Sequence, residues 1–313
     1  MGWGPLAPSQ PFAGRSFWLL HQWVSVTTLR MKTSLLSSLN AQQMEWECLS
    51  GADAQGPLSR EAWSKACQFH PLSQDQVLRE VKNKVSLTGR PIVLLDLDST
   101  LYQVEPRSYQ ILKEWARSTE AQAFPKVQRA FHHFLESHVG YSVQDTLSQL
   151  GIELSHPEGV GSYQSSKQFW SDRFFHNEWL KCDRPYPGAV QYVQALHESG
   201  AQLVYLTGRD AERMREGTMA NLARDGFPLG HSSTQLWMKP SKVMSDLVFK
   251  KNAAERLRSL GVLIASFENE PHNVAGLQSL YPEAMHVWMD TLCSDQPAPI
   301  CQGLYRIQGF ELF

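Results

Sequence analysis

The segment PIVLLDLDSTLY, Pro91 to Tyr102, carries two aspartates, Asp96 and Asp98, one residue apart at the end of an apolar run. Like charges that close raise each other's cost of ionisation, so the pair requires a cation, a shared proton or a reaction. One aspartate can act as a nucleophile and form an aspartyl-phosphate, which divides a hard displacement into two easier ones. A carboxyl two residues on can protonate the leaving oxygen and then activate water. A magnesium ion, which takes oxygen ligands and leaves room for water and phosphate, would remove the repulsion. The plainer alternative is that both carboxylates cap the next turn, since D-x-D by itself is a common pattern.

Other polar residues end apolar runs further along. YLTGRD places Thr207 and Gly208 where a hydroxyl and the following backbone amides can hold phosphate oxygens. Lys250 lies on a helix before the next run and would offer a point charge to a phosphoryl group. Arg209 could reach that phosphate or pair with a neighbouring acid. Glu268 and Asn269 close a third run and could face a metal. Taken singly these are a turn threonine and a surface lysine; it is their succession that points to one site.

The elements that must position them alternate. Apolar runs at 91–95, 202–206, 262–267 and 284–289 read as buried strands, and the segments between them carry apolar residues three and four apart, as helices do. Such alternation predicts an α/β fold: a Rossmann-like, mostly parallel sheet with helices on both faces. Ligands of such sheets bind beyond the carboxyl ends of the strands, where Asp96, Asp98, Thr207 and Glu268 would converge. Residues 103–182 read as helical throughout, with one helix expected across PKVQRAFHHFLESH. Adjacent His132 and His133 cannot form an i, i+4 ligand pair and read as surface or packing residues.

Asp96-Leu97-Asp98-Ser99-Thr100, Thr207-Gly208-Arg209, Phe249-Lys250 and Phe267-Glu268-Asn269-Glu270-Pro271 together resemble the four motifs of the haloacid dehalogenase (HAD)-like superfamily of aspartyl-nucleophile phosphohydrolases. The resemblance spans about Lys84 to Asp290. It implies Asp96 as nucleophile, Asp98 as general acid–base, Thr207, Gly208 and Lys250 as phosphate-binding residues, and Mg2+ held by Asp96, Asp98, Glu268 and Asn269. Lys251 and Lys242 are the alternatives to Lys250. It also implies a helical cap at 104–182, inserted after the first strand of a core at 59–103 and 183–292. The tail at 293–313, with two prolines and the apolar anchors Leu304, Tyr305 and Ile307, reads as a strap packed back on that core. In the fourth motif Asn269 stands where the family usually has an aspartate, which lowers the site's charge without removing an oxygen ligand. The second aspartate disfavours dehalogenation, because a departing halide needs no proton.

The resulting expectation is a Mg2+-dependent phosphatase that hydrolyses a phosphomonoester of a small metabolite. The alternatives are a catalytically weak phosphate-binding or regulatory protein, motivated by Asn269, and a phosphotransferase using the same residues. Composition agrees with a globular enzyme: 313 residues, 42% hydrophobic, formal net charge −2. That balance offers no basic field for nucleic acid or membrane. Five scattered cysteines without a C-x-x-C pair indicate free thiols in a reducing compartment, hence a cytoplasmic setting. Residues 1–58, with Trp3, Trp18 and Trp23 among Gly, Pro, Ser and Gln, read as a poorly ordered extension with Met31 and Met44 as alternative starts; export is the minority reading.

Overall fold

The computed structural model describes residues 58–311, so the extension expected at 1–58 lies outside them but for Leu58. Among the described residues two helices, α1 (Arg60–Ala66) and α2 (Gln74–Leu87), precede the first strand. In α2 the Ser73 hydroxyl accepts from the Gln76 N–H while the Gln76 side chain accepts from the Ser73 N–H. This reciprocal cap satisfies two otherwise unpaired donors.

Strand β1 (Pro91–Leu95) is buried along its whole length. Val93 and Leu95 join one apolar cluster, with Val77 and Leu78 of α2, and Ile92 and Leu94 join another on the opposite face. A continuous apolar run is what a strand covered on both sides requires. The chain then passes through β2 (Tyr102–Gln103), which pairs antiparallel with β3 (Arg184–Pro185). Everything between them forms an insertion: α3 (Glu105–Trp115), α4 (Pro125–Ala130), α5 (Val143–Gln149), α6 (Pro157–Phe174) and short 3-10 turns. It has its own apolar centre, built from Ile111, Leu112, Trp115, Phe131, Leu147 and Phe169. The single helix expected across Pro125–His138 breaks after Ala130 into two 3-10 turns.

The return strand leads to α7 (Ala189–Glu198), β4 (Gln202–Asp210), α8 (Ala211–Asp225), β5 (Thr234–Lys239), α9 (Asp246–Leu257), β6 (Val262–Glu268), α10 (Pro271–Leu280), β7 (Met285–Met289) and β8 (Tyr305–Ile307). The six-stranded sheet has the order β5-β4-β1-β6-β7-β8, and every pairing in it is parallel. The fold is therefore α/β and Rossmann-like. Because β1 sits between β4 and β6, the chain's lateral progress reverses there, and that switch point opens a crevice beyond the strand ends. Leu304 and Ile307 are buried and Tyr305 is partly so, the tail adding the outer strand β8.

The described cysteines, Cys67, Cys182, Cys293 and Cys301, are free. Among the described residues no helix is long and apolar enough to cross a membrane.

Candidate active site

Beyond the carboxyl ends of β1, β4 and β6 lies a cavity of about 450 Å3, walled on one side by the sheet's loops and on the other by the insertion. Asp96, Asp98, Thr207, Gly208, Lys250 and Asn269 all line it; Glu268 sits behind, in contact with Lys250.

Asp96 is the first residue past β1 and is 6% exposed. Its carboxylate accepts from Lys250 Nζ at 2.8 Å, and the same ammonium donates to Glu268 Oε2 at 2.7 Å. Lys250 lies on the face of α9 that also buries Ala253, Ala254 and Leu257. A charge on an apolar stripe is rarely tolerated without partners. Burial pushes the Asp96 carboxyl up to about 7, with Lys250 opposing and Glu268 and Asp98 reinforcing the rise. Burial works against the Lys250 charge, but Asp96 and Glu268 outweigh it and hold the ammonium above its ordinary range.

Asp98 is differently placed. Its carboxylate accepts from Arg107 Nη2 at 2.8 Å and from Arg209 Nη2 at 2.5 Å and Nε at 3.1 Å. Both guanidiniums also reach Asp183, Arg107 at 2.7 and 2.8 Å and Arg209 at 2.8 Å. Burial opposes the Asp98 charge, yet Arg209 and then Arg107 hold its carboxyl far below the usual carboxylate range. Arg209, open between phosphate and acid in the sequence, is thus turned to acids. Ser99 follows with φ of 57°, a left-handed conformation uncommon outside glycine, and its N–H donates to the Tyr102 carbonyl at 2.7 Å.

Arg107 and Asp183 were not singled out by sequence. A signal existed: Arg107 shares the buried face of α3 with Ile111, Leu112 and Trp115, so an arginine interrupts an apolar stripe. Its acidic partners could not be read from that. Trp170 lines the cavity, whereas Trp179 packs in the insertion's centre and Trp237 against α9.

Which residues could hold a hard cation follows from the oxygens left over. The Asp98 and Glu268 carboxylates are engaged, Glu268 Oε1 accepting the Glu270 N–H at 3.0 Å. Asn269 Nδ2 donates to the Leu292 carbonyl at 2.7 Å, which turns Oδ1 the other way, toward the Thr100 hydroxyl at 3.3 Å. Asn273 Oδ1 is buried without a partner and its residue lines the cavity. Among the described residues no group of three His, Cys, Asp or Glu side chains could hold a metal. Asp96 Oδ2, Asn273 Oδ1 and the second lone pair of Asn269 Oδ1, whose first faces Thr100, remain, a set that fits magnesium, which keeps several waters and takes few protein ligands.

The family model of haloacid dehalogenase-like hydrolases matches residues 91–234. Residues 91–234 belong to the haloacid dehalogenase-like hydrolases. Within this hydrolase domain the match takes in Asp96, Asp98 and Thr207, while Lys250 and Asn269 reach the same cavity from α9 and the end of β6. No curated protein matches the chain. Solved structures similar to it include the class C acid phosphatase from Bacillus anthracis with tungstate bound (13% identity, TM-score 0.36, 75% of this chain and 70% of that one). A predicted phosphoglycolate phosphatase from Haemophilus somnus 129PT is another (15%, TM-score 0.39, 70% and 94%). A third is a haloacid dehalogenase-like family protein from Streptococcus pneumoniae (12%, TM-score 0.37, 69% and 94%). Identities this low and TM-scores below 0.5 transfer no activity to this chain.

Proposed function

We propose that this hydrolase is a phosphatase that cleaves a phosphomonoester of a small metabolite through an aspartyl-phosphate on Asp96. The observation that carries the reading is the buried Asp96–Lys250 contact of 2.8 Å at the wall of a closed-sided cavity, beyond the central strand of the sheet. An oxygen of Asp96 would attack phosphorus while the ester oxygen departs as the alcohol with a proton from Asp98. Asp98 would then take a proton from the water that cleaves the acyl phosphate and frees Asp96. Lys250 would balance charge on the transferring group, and Thr207 with the Gly208 amide would hold its oxygens. Magnesium, held by Asp96, Asn269 and Asn273, would supply further positive charge to the phosphate when bound. The insertion at 104–182 acts in this reading as the cap, closing over the ester and excluding bulk water.

Inorganic phosphate release from a panel of phosphorylated metabolites tests this, with the native chain and Asp96→Asn compared in the presence and absence of magnesium. Magnesium-dependent release that the substitution abolishes, with an acid-stable phosphoprotein formed only by the native chain, is the expected result. Release that survives Asp96→Asn would remove the covalent step.

One observation favours a second reading, a site that binds phosphate and turns it over slowly. Both oxygens of Asp98 face guanidiniums, so as it stands Asp98 carries no proton for a leaving group. Phosphate binding with less than one turnover per active site would support it.

A further inference from the structure

We propose that the organic group of the ester carries a positive charge, an amine or quaternary ammonium, on a compact apolar body; this deepens the phosphatase reading and rests on it.

The positive charge at the cavity wall is already engaged. Among the described residues, the only lysine and arginine that line the cavity are Lys250 and Arg209. Each faces two carboxylates: Lys250 meets Asp96 and Glu268, and Arg209 meets Asp98 and Asp183. Among the described lining residues a second anionic group on the substrate would find no unengaged cation; it would lie near Glu105 and Glu270, and near Asp246, which is paired with Lys239. Desolvating an anion without a partner is strongly unfavourable. A cation in the same place meets the opposite situation.

Among the described residues, three buried polar atoms at the cavity are left without partners. Glu105 Oε2, His272 Nδ1 and Asn273 Oδ1 are buried atoms without a hydrogen-bond partner, and all three residues line this cavity. Asn273 is 4% exposed. A buried acceptor left unpaired costs about 1–3 kcal/mol, which a ligand bearing N–H groups or positive charge would recover. Even with Asn273 given to magnesium, the Glu105 oxygen stays unmatched.

The cavity also has an aromatic wall. Trp170 stacks on Phe174 with ring centroids 4.3 Å apart, and Phe175 meets both edge-on at 5.7 and 5.0 Å. The Trp170 indole N–H donates to Ser108 Oγ at 3.0 Å, which fixes the ring at the cavity. Aromatic faces attract cations, and attract them more once water is excluded. Arg107 already lies 4.1 Å over Phe174 and Arg213 5.2 Å from the Phe175 centroid, so attraction for a further cation rests on Trp170. Carboxylate and aromatic surface together thus select a cationic group of low polarity over a sugar or a second phosphate.

The test uses the full chain with magnesium. It compares kcat/KM for phosphocholine, for its uncharged carbon isostere 3,3-dimethylbutyl phosphate, and for 2-phosphoglycolate, with p-nitrophenyl phosphate as a general probe. The cation is expected to be preferred over its isostere by about tenfold or more, and Glu105→Gln is expected to shrink that ratio to a few-fold. Should Glu105→Gln not fold, choline against 3,3-dimethylbutanol as inhibitors of p-nitrophenyl phosphate hydrolysis asks the same of the native chain. Equal values for the isosteres, or a preference for the anion, overturn the inference while p-nitrophenyl phosphate hydrolysis leaves the phosphatase reading standing. No release from any ester overturns both.

Discussion

Both carboxylate oxygens of Asp183 meet the Arg107 guanidinium, at 2.7 and 2.8 Å, with neither side chain exposed to solvent. Arg107 belongs to the first helix of the insertion and Asp183 directly precedes the strand by which the chain returns, so the pair closes the insertion at its base. Removing one partner of a buried ion pair leaves the other charge uncompensated, at a cost of about 3–5 kcal/mol. Asp183→Ala should lower stability by that amount in a urea titration, because two guanidiniums lose a partner. A change below about 1 kcal/mol would show that the pair does not hold the insertion.

Lys250→Met should lower kcat by about 10²–10³, the usual cost of deleting one preorganised donor to developing charge. KM should change less, because the lysine's contribution grows as charge shifts onto the transferring group. Steady-state kinetics on the folded variant checks this; an effect confined to KM would make Lys250 a ground-state binding residue only.

Stability should depend on pH through His286. Its ring is buried, with Nδ1 at 2.8 Å from Ser266 Oγ and Nε2 at 2.8 Å from the Tyr281 carbonyl. Those partners suit the neutral ring, with Nε2–H donating. Burial pushes the imidazole down to about 4, against about 6.5 in an unfolded chain. The unfolded state therefore binds a proton that the folded state refuses across that interval. The stability contribution is complete above about pH 6.5 and is lost as pH falls toward 4, by up to about 3 kcal/mol. Urea midpoints at pH 7.5 and 4.5 should diverge less in His286→Gln than in the native chain; equal divergence would show that this ring contributes nothing to the slope.

Asn269→Asp should lower the magnesium concentration needed for half-maximal phosphate release several-fold, since a hard cation binds carboxylate better than amide oxygen. The same change removes the Asn269 Nδ2 donor from the Leu292 carbonyl, a 2.7 Å hydrogen bond. Stability should fall by about 1–3 kcal/mol for the acceptor left unmatched. Magnesium titrations of activity and urea titrations of the same sample separate the two effects. An unchanged magnesium requirement would place Asn269 outside the metal's ligands.

Most of the sheet was legible from residue order because its strands are short, continuous apolar runs that end in polar residues. Strand β5 was not. Thr234–Lys239 is mostly half-buried at the sheet edge, so it carries neither a continuous run nor clean alternation, and only its pairing with β4 defines it. The break after Ala130 was equally hidden, since PKVQRAFHHFLESH keeps helical spacing while Phe131 and Phe134 are both drawn into the insertion's apolar centre. Lys250 could be anticipated from order and type, and the cavity brings it to Asp96 across a separation of 154 residues.

The sequence by itself determined the α/β alternation, the strand ends on which Asp96, Thr207 and Glu268 sit, and the residue types that phosphate chemistry needs. These follow from local periodicity and from the rule that polar side chains collect beyond buried strands. Only the tertiary structure decided which charges meet. Asp98 is held by Arg107, nine positions away, and by Arg209, 111 positions away. Ion pairing depends on distance in space and on burial, and neither is encoded in sequence separation. The same two aspartates, one residue apart, therefore end in opposite environments, one facing a lysine at the cavity and the other held between two arginines.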